Sequence, residues 1–163
     1  MIDLSKFSQN EIKRLSASAI SLITEPEKGI GSDLFDAIIK IVPQVAVEAL
    51  IVDNINHPKK ILVTWRKDNN YTGWHFPGGF IRFGSSFNKT LRDVIKREIG
   101  VEIKKIKDTG VKYSKTDKRG HTVGLVFLVE IAGKPTVGKW FSSVPKKLLK
   151  CHKLFLKEAI GWK

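Results

Sequence analysis

The chain has 163 residues, 42% hydrophobic and 28% charged, a globular balance that excludes a disordered polymer and suffices for one domain with its own core. A single cysteine, Cys151, excludes an internal disulfide and a cysteine-built zinc cage and fits a reducing, cytoplasmic compartment; no apolar run nears the roughly 20 residues of a membrane span. Lys and Arg total 29 against 16 Asp and Glu, and the formal charge of +13 favours polyanionic partners such as nucleotides or RNA.

The first stretch reads as a helix, because Ser8-Gln9-Asn10-Glu11 has capping-box spacing and Ile12, Leu15, Ala19 and Leu22 follow on one face. Pro26, Gly29 and Gly31 break it. Asp33 to Ile41 fits a second short helix that ends at Pro43. Residues 1–44 thus form an N-terminal helical extension to a domain over 45–163.

From Val45 the apolar period becomes two, giving a strand over Val45–Val52 and a partner over Lys60–Trp65. A polar loop then runs through Trp74-His75-Phe76-Pro77 to Gly78-Gly79. Phe87 to Ile99 is helical in pattern, with Gly100 as its C-terminal cap. Val111–Ser114 and Thr122–Ile131 read as strands joined by the basic turn 115–120, and Lys139–Phe141 as another short strand. A basic helix from about Pro145 to Ile160 closes the chain; its lysines 146, 147, 150, 153 and 157 read as a solvated face. This order implies an α/β (α+β) fold, a mixed sheet with helices packed against it.

The chemistry concentrates in Gly78-Gly79-Phe80-Ile81-Arg82-Phe83-Gly84-Ser85 and the helix that follows. At 100° per residue, Leu91, Val94 and Glu98 fall within about 60° of Phe87, so a carboxylate shares the apolar stripe. Such a carboxylate needs a cation or strong donors. A divalent metal and a neighbouring lysine or arginine both qualify.

This segment resembles the Nudix box of the Nudix hydrolases, G-x5-E-x7-R-E-U-x-E-E-x-G-U with U aliphatic. Aligned from Gly79 without a gap, Ile95, Glu98, Gly100 and Val101 match the pattern. Trp74 to Gly79 looks like the entry to that box, Trp140-Phe141-Ser142 resembles the family's later tryptophan strand, and the likeness covers Val45 to about Ile160. It implies a mixed β-sheet sandwiched between helices, a nucleotide-containing substrate and Mg2+ as cofactor.

Ser85, Asp93, Val94 and Arg97 stand where the full box has its early glutamate, its arginine, the next glutamate and the first of the late pair. Glu98 is the surviving carboxylate. The chain is similar in this to the GDP-mannose mannosyl hydrolase-like branch, whose box is also reduced and whose single magnesium neutralises a departing diphosphate. That branch places a glutamine and a histidine before the tryptophan strand, where this chain has Gly133 to Lys139.

The resemblance implies Gly79 and Glu98 as metal ligands. Arg66, Arg82 and Arg97 are the candidate phosphate clamps, since a guanidinium matches phosphate oxygens bidentately. Trp74 is a candidate base-stacking residue, and His121, at the start of a strand beside the basic turn, a candidate water-activating base. Two functions follow. One is a magnesium-dependent hydrolase of a nucleoside diphosphate linked to another group, such as the nucleotide sugar GDP-mannose. The other is a catalytically inactive module that binds nucleotide or RNA through its basic surface. A homodimer is a candidate assembly, and no membrane partner is expected.

Overall fold

The computed structural model describes residues 3–69, 71–117 and 120–162. In chain order the elements are α1 (Gln9–Ser21), α2 (Ser32–Ile38), β1 (Gln44–Val52), β2 (Ile61–Lys67), β3 (Thr72–His75), β4 (Gly78–Phe80), α3 (Phe87–Ile99), β5 (Glu102–Asp117), β6 (Gly120–Ala132), β7 (Lys139–Phe141) and α4 (Lys150–Ile160). The strands make one mixed sheet in the order β3-β2-β1-β6-β5, with β4 added to β1 and β7 to β2.

β1 is the axis of the fold. It runs parallel to β6 from Gln44↔Thr122 to Ile51↔Val129, and its apolar run is buried on both faces, as a central parallel strand requires. Its odd residues Val47, Ala49 and Ile51 pack with Leu91, Ile95 and Ile99 of α3. The even residues Leu50 and Val52 pack with Phe76, Phe155 and Leu156 on the α4 side. Helices therefore flank the sheet on both faces.

The other edge of β1 is divided. Only Ile51 and Val52 pair with β2, while Ala46, Val47 and Glu48 pair with Phe80, Gly79 and Gly78 of β4. β2 turns away to pair with β3 and β7. The segment Phe76–Pro77 crosses where the two strands part, held by the Ala49 N–H donating to the Pro77 carbonyl at 2.8 Å.

Several elements differ from expectation for local reasons. Trp74-His75 and Gly78-Gly79 are strands β3 and β4 rather than loop, recruited by pairing with β2 and β1. β5 extends from Glu102 rather than over Val111–Ser114 alone; as an edge strand it carries exposed lysines that mask the alternation, and its register shifts between Asp108 and Lys112. α4 starts at Lys150 rather than near Pro145, because the preceding backbone bonds to Trp74: Trp74 N–H to Lys147 O at 2.9 Å and Leu149 N–H to Trp74 O at 3.0 Å. α2 stops at Ile38, and its end tightens as Ile41 N–H donates to Ile38 O ahead of Pro43. Of the expected basic turn, Lys115–Asp117 belong to β5 and Gly120 opens β6; Lys118 and Arg119 lie outside the described residues.

The capping box of α1 forms as expected, with the Glu11 N–H donating to Ser8 Oγ and the Ser8 N–H to the Glu11 carboxylate. No α1 residue is buried. α2 is docked on the domain through Ile39 and through Phe35, whose ring lies 5.4 Å from that of Phe80. Among the described residues no helix is long and apolar enough to cross a membrane.

Candidate active site

α3 is set by its ends. Ser86 caps the first turn, accepting the Lys89 N–H at 3.2 Å. Gly100 takes a left-handed φ of 79° and returns its N–H to Ile95 and Lys96. Leu91, Val94, Ile95 and Ile99 bury one side. Glu98 lies at the rim of that stripe, its side chain 26% exposed, and accepts from the Arg97 guanidinium at 2.8 Å. Thr136 ties the next loop to the helix end by donating both its N–H (3.0 Å) and its hydroxyl (2.8 Å) to Ile99 O. That tie brings Val137–Lys139 alongside Glu98.

The glycine pair is a matter of space. A Cβ on Gly78 would lie 2.3 Å from Glu48 Oε2 and 2.9 Å from Val47 O, and one on Gly79 would lie 2.9 Å from Val94 Cγ2. Only bare backbone passes between β1 and α3.

Three hollows meet around this turn. An inner cleft of about 450 Å³ lies on the α4 side, lined among others by Glu48, Arg66, His75, Gly79, Glu98 and His152. An outer cleft of about 460 Å³ is lined by Thr64, Trp65, Trp74, His75, Glu98 and Val137–Lys139. His75 and Glu98 border both. A wider groove of about 1140 Å³ runs between the N-terminal extension and the loop after β4, and includes Gly79, Arg82 and Arg97.

The residues singled out from sequence therefore divide. Arg66 is in the inner cleft, Trp74 in the outer, Arg82 and Arg97 in the groove, while Gly79 and Glu98 bridge neighbouring hollows. His121 lines none of the three; its Nε2 lies 2.8 Å from Ser114 Oγ across the hairpin. Strand alternation gives the inner cleft its neighbour Thr122 instead. Glu130, the carboxylate on β6, is buried at the far end of that strand, paired with Lys104 at 2.7 Å and accepting the Ile55 N–H at 3.3 Å. Those two contacts hold its pKa below the ordinary glutamate value.

Two histidines grip the Phe76 peptide groups. His75 Nδ1 lies 2.7 Å from Phe76 O, so it donates there, and its Nε2 faces the Thr64 hydroxyl at 3.0 Å. His152 Nδ1 accepts the Phe76 N–H at 2.9 Å, so its proton sits on Nε2, 3.8 Å from Glu48 Oε2. Burial lowers the pKa of both, His152 to about 3, and both rings are neutral at neutral pH. Glu48 also accepts the Tyr113 hydroxyl at 2.8 Å.

Glu48, Tyr113 and His152 are not among the residues the sequence motifs single out. A charged residue inside the apolar run Val45–Val52 was the available signal for Glu48, and the spacing Leu148-His152-Phe155 was that for His152. Among the described residues, no three His, Cys, Asp or Glu side chains gather as a metal-holding group.

The NUDIX domain family model matches residues 42–158, and the chain belongs to that family, the Nudix hydrolases. No curated protein is close enough in sequence to match it. Among solved structures it is similar to the MutT NUDIX hydrolase from Burkholderia pseudomallei, with 21% identity and a TM-score of 0.64 over 72% of this chain and 98% of that one. It is also similar to the MutT protein from Methanosarcina mazei Go1, with 16% identity and a TM-score of 0.58 over 72% of this chain and 93% of that one. At these identities the likeness is one of fold.

Proposed function

We propose that the protein hydrolyses a nucleoside diphosphate linked to a second group, a nucleotide sugar such as GDP-mannose, with one Mg2+. The observation that carries this reading is the position of Glu98: it borders both clefts, with Arg66 and Gly79 lining the inner one. A diphosphate lying there has a cleft on either side for the groups at its two ends.

Glu98 and the Gly79 backbone are the residues that would hold the ion. Their sparse donor set fits a single hard cation completed by phosphate oxygens and water, and not a multi-ion centre. When bound, such an ion neutralises the charge of the departing diphosphate. Arg66 supplies a guanidinium to the phosphates from the inner cleft, and Arg97 and Arg82 supply theirs from the groove. For the base that activates water, His75 replaces His121. Burial keeps its ring neutral, it borders both clefts, and its Nε2 faces only a rotatable hydroxyl among the contacts described.

The Arg97–Glu98 contact favours a second reading, binding without hydrolysis, since a guanidinium on the lone box carboxylate fills the place of a cation. The exposed lysines of the last helix and its approach would then contribute to a nucleotide or RNA surface.

The deciding experiment is product-resolved hydrolysis of nucleoside triphosphates, dinucleoside polyphosphates and nucleotide sugars, with and without Mg2+, beside Glu98→Gln. Mg2+-dependent turnover that the variant abolishes supports the enzyme, and the products distinguish P–O from C–O cleavage. No turnover on any substrate, with salt-sensitive nucleotide or RNA binding that survives Glu98→Gln, supports the module.

A further inference from the structure

The two clefts that meet at His75 and Glu98 differ in chemistry. The outer one is aromatic. Trp65 is 45% exposed, and its indole is braced edge-on by Trp74 at 5.1 Å, which is braced in turn by Phe141 at 5.1 Å. Two lysines complete the array, Lys147 Nζ 5.9 Å from the Trp65 ring and Lys139 Nζ 5.4 Å from that of Phe141. An exposed ring held rigid by its neighbours has little entropy left to lose when a flat ligand stacks on it.

The inner cleft is polar. Glu48 stands on the even face of β1 with Tyr113, Thr122 and His152 around it. The carboxylate is placed by strand pairing, opposite Gly78, and by the Tyr113 hydroxyl. It repels a phosphate and accepts from hydroxyl donors. Thr122 and Lys115, which also line the cleft, can donate to hydroxyl oxygens. Mixed acceptors and donors of this kind suit a neutral group rich in hydroxyls.

Resting on the function proposed above, we infer that the ligand lies across the seam with its base on Trp65 in the outer cleft and its sugar in the inner cleft against Glu48. The diphosphate sits between them, beside Arg66. Glu48 and Trp65 are then specificity residues for opposite ends of one molecule. The site selects a nucleoside diphosphate substituted at its far phosphate over a triphosphate, whose terminal phosphate would meet the Glu48 carboxylate.

The test is equilibrium binding of GDP and GDP-mannose to the full chain in EDTA, where nothing turns over, for the wild type, Trp65→Ala, Glu48→Gln and Tyr113→Phe, each checked for fold by circular dichroism. Trp65→Ala weakens both ligands by about tenfold. Glu48→Gln weakens GDP-mannose by about tenfold and changes GDP by less than about twofold, and Tyr113→Phe, the milder change, follows the same pattern. If Glu48→Gln weakens GDP as much as GDP-mannose, or Trp65→Ala leaves GDP unchanged, the assignment of the two ends is overturned. The expected pattern without turnover of GDP-mannose in Mg2+ overturns hydrolysis alone, while a wild type that binds neither ligand in EDTA and neither in Mg2+ overturns both.

Discussion

His152 accepts the Phe76 N–H on Nδ1 at 2.9 Å, a bond between α4 and the chain segment that leads into the Gly78-Gly79 turn. The last helix thereby fixes a backbone position 76 residues earlier, and the fixed position is the one from which the glycine strand departs.

His152→Ala removes that acceptor and opens a cavity beside Phe76 and Phe155, whose rings lie 5.3 and 5.1 Å from the imidazole. The unfolding free energy falls by about 2–4 kcal/mol in urea titration, the sum of a buried orphaned N–H and lost packing. Ligand affinity falls with it, because the turn is released.

The pH dependence of stability follows from the same ring. His152 titrates near 3 folded and near 6.5 unfolded, so below about pH 6.5 the unfolded chain binds the additional proton. Its contribution is fully present above that pH and is lost as pH falls toward 3. His75, also lowered by burial, acts in the same direction. Between pH 6.5 and 4.5 the His152 contribution drops by up to about 1.4 kcal/mol per unit. His152→Gln, which has no such titration, flattens the curve; an unchanged slope in that variant would contradict the assignment.

Gly78→Ala and Gly100→Ala test the backbone constraints. The first drives a methyl against Glu48 Oε2 and Val47 O; the second combines a φ of 79° with a Cβ 2.5 Å from Thr136 Oγ1. Each lowers stability by about 1–3 kcal/mol. Gly84→Ala meets no atom within 4 Å, so its effect is confined to the cost of its φ of 71°, about 1 kcal/mol. Thermal melts rank the three.

Glu98 and Arg97 separate charge from architecture. Both side chains are partly exposed, so Glu98→Gln leaves the melting temperature nearly unchanged. Turnover drops by at least about 100-fold in the proposed reaction, since the change removes the carboxylate proposed to hold the ion. Arg97→Ala frees the Glu98 carboxylate and tightens Mg2+ binding as read by calorimetry.

Much of the fold is legible in the sequence where one force dominates. Phe87–Ile99 combines a stripe, a serine cap and a terminal glycine, and its bounds are as expected. Elements decided by pairing are not legible in this way. Trp74-His75 and Gly78-Gly79 carry no alternation of their own and become strands because β2 and β1 offer them edges. For the site, spacing locates Gly79 and Glu98, but one residue of strand phase separates His121 from Thr122, and the phase depends on the register with β1. Glu48 and His152 come together only through tertiary packing, 104 positions apart in sequence.

The Thr136 anchor has a consequence for how this protein can change. The segment at the mouth of the outer cleft is pinned on one side by two bonds to Ile99 O and on the other by the pairing of Lys139 with Val63. Val137, half exposed between the two pins, can be exchanged for a larger or more polar side chain without moving either. The mouth of the outer cleft is thus coupled to the helix end that carries Glu98, and, in the function proposed above, a half-exposed Val137 between fixed points lets selectivity drift by single substitutions.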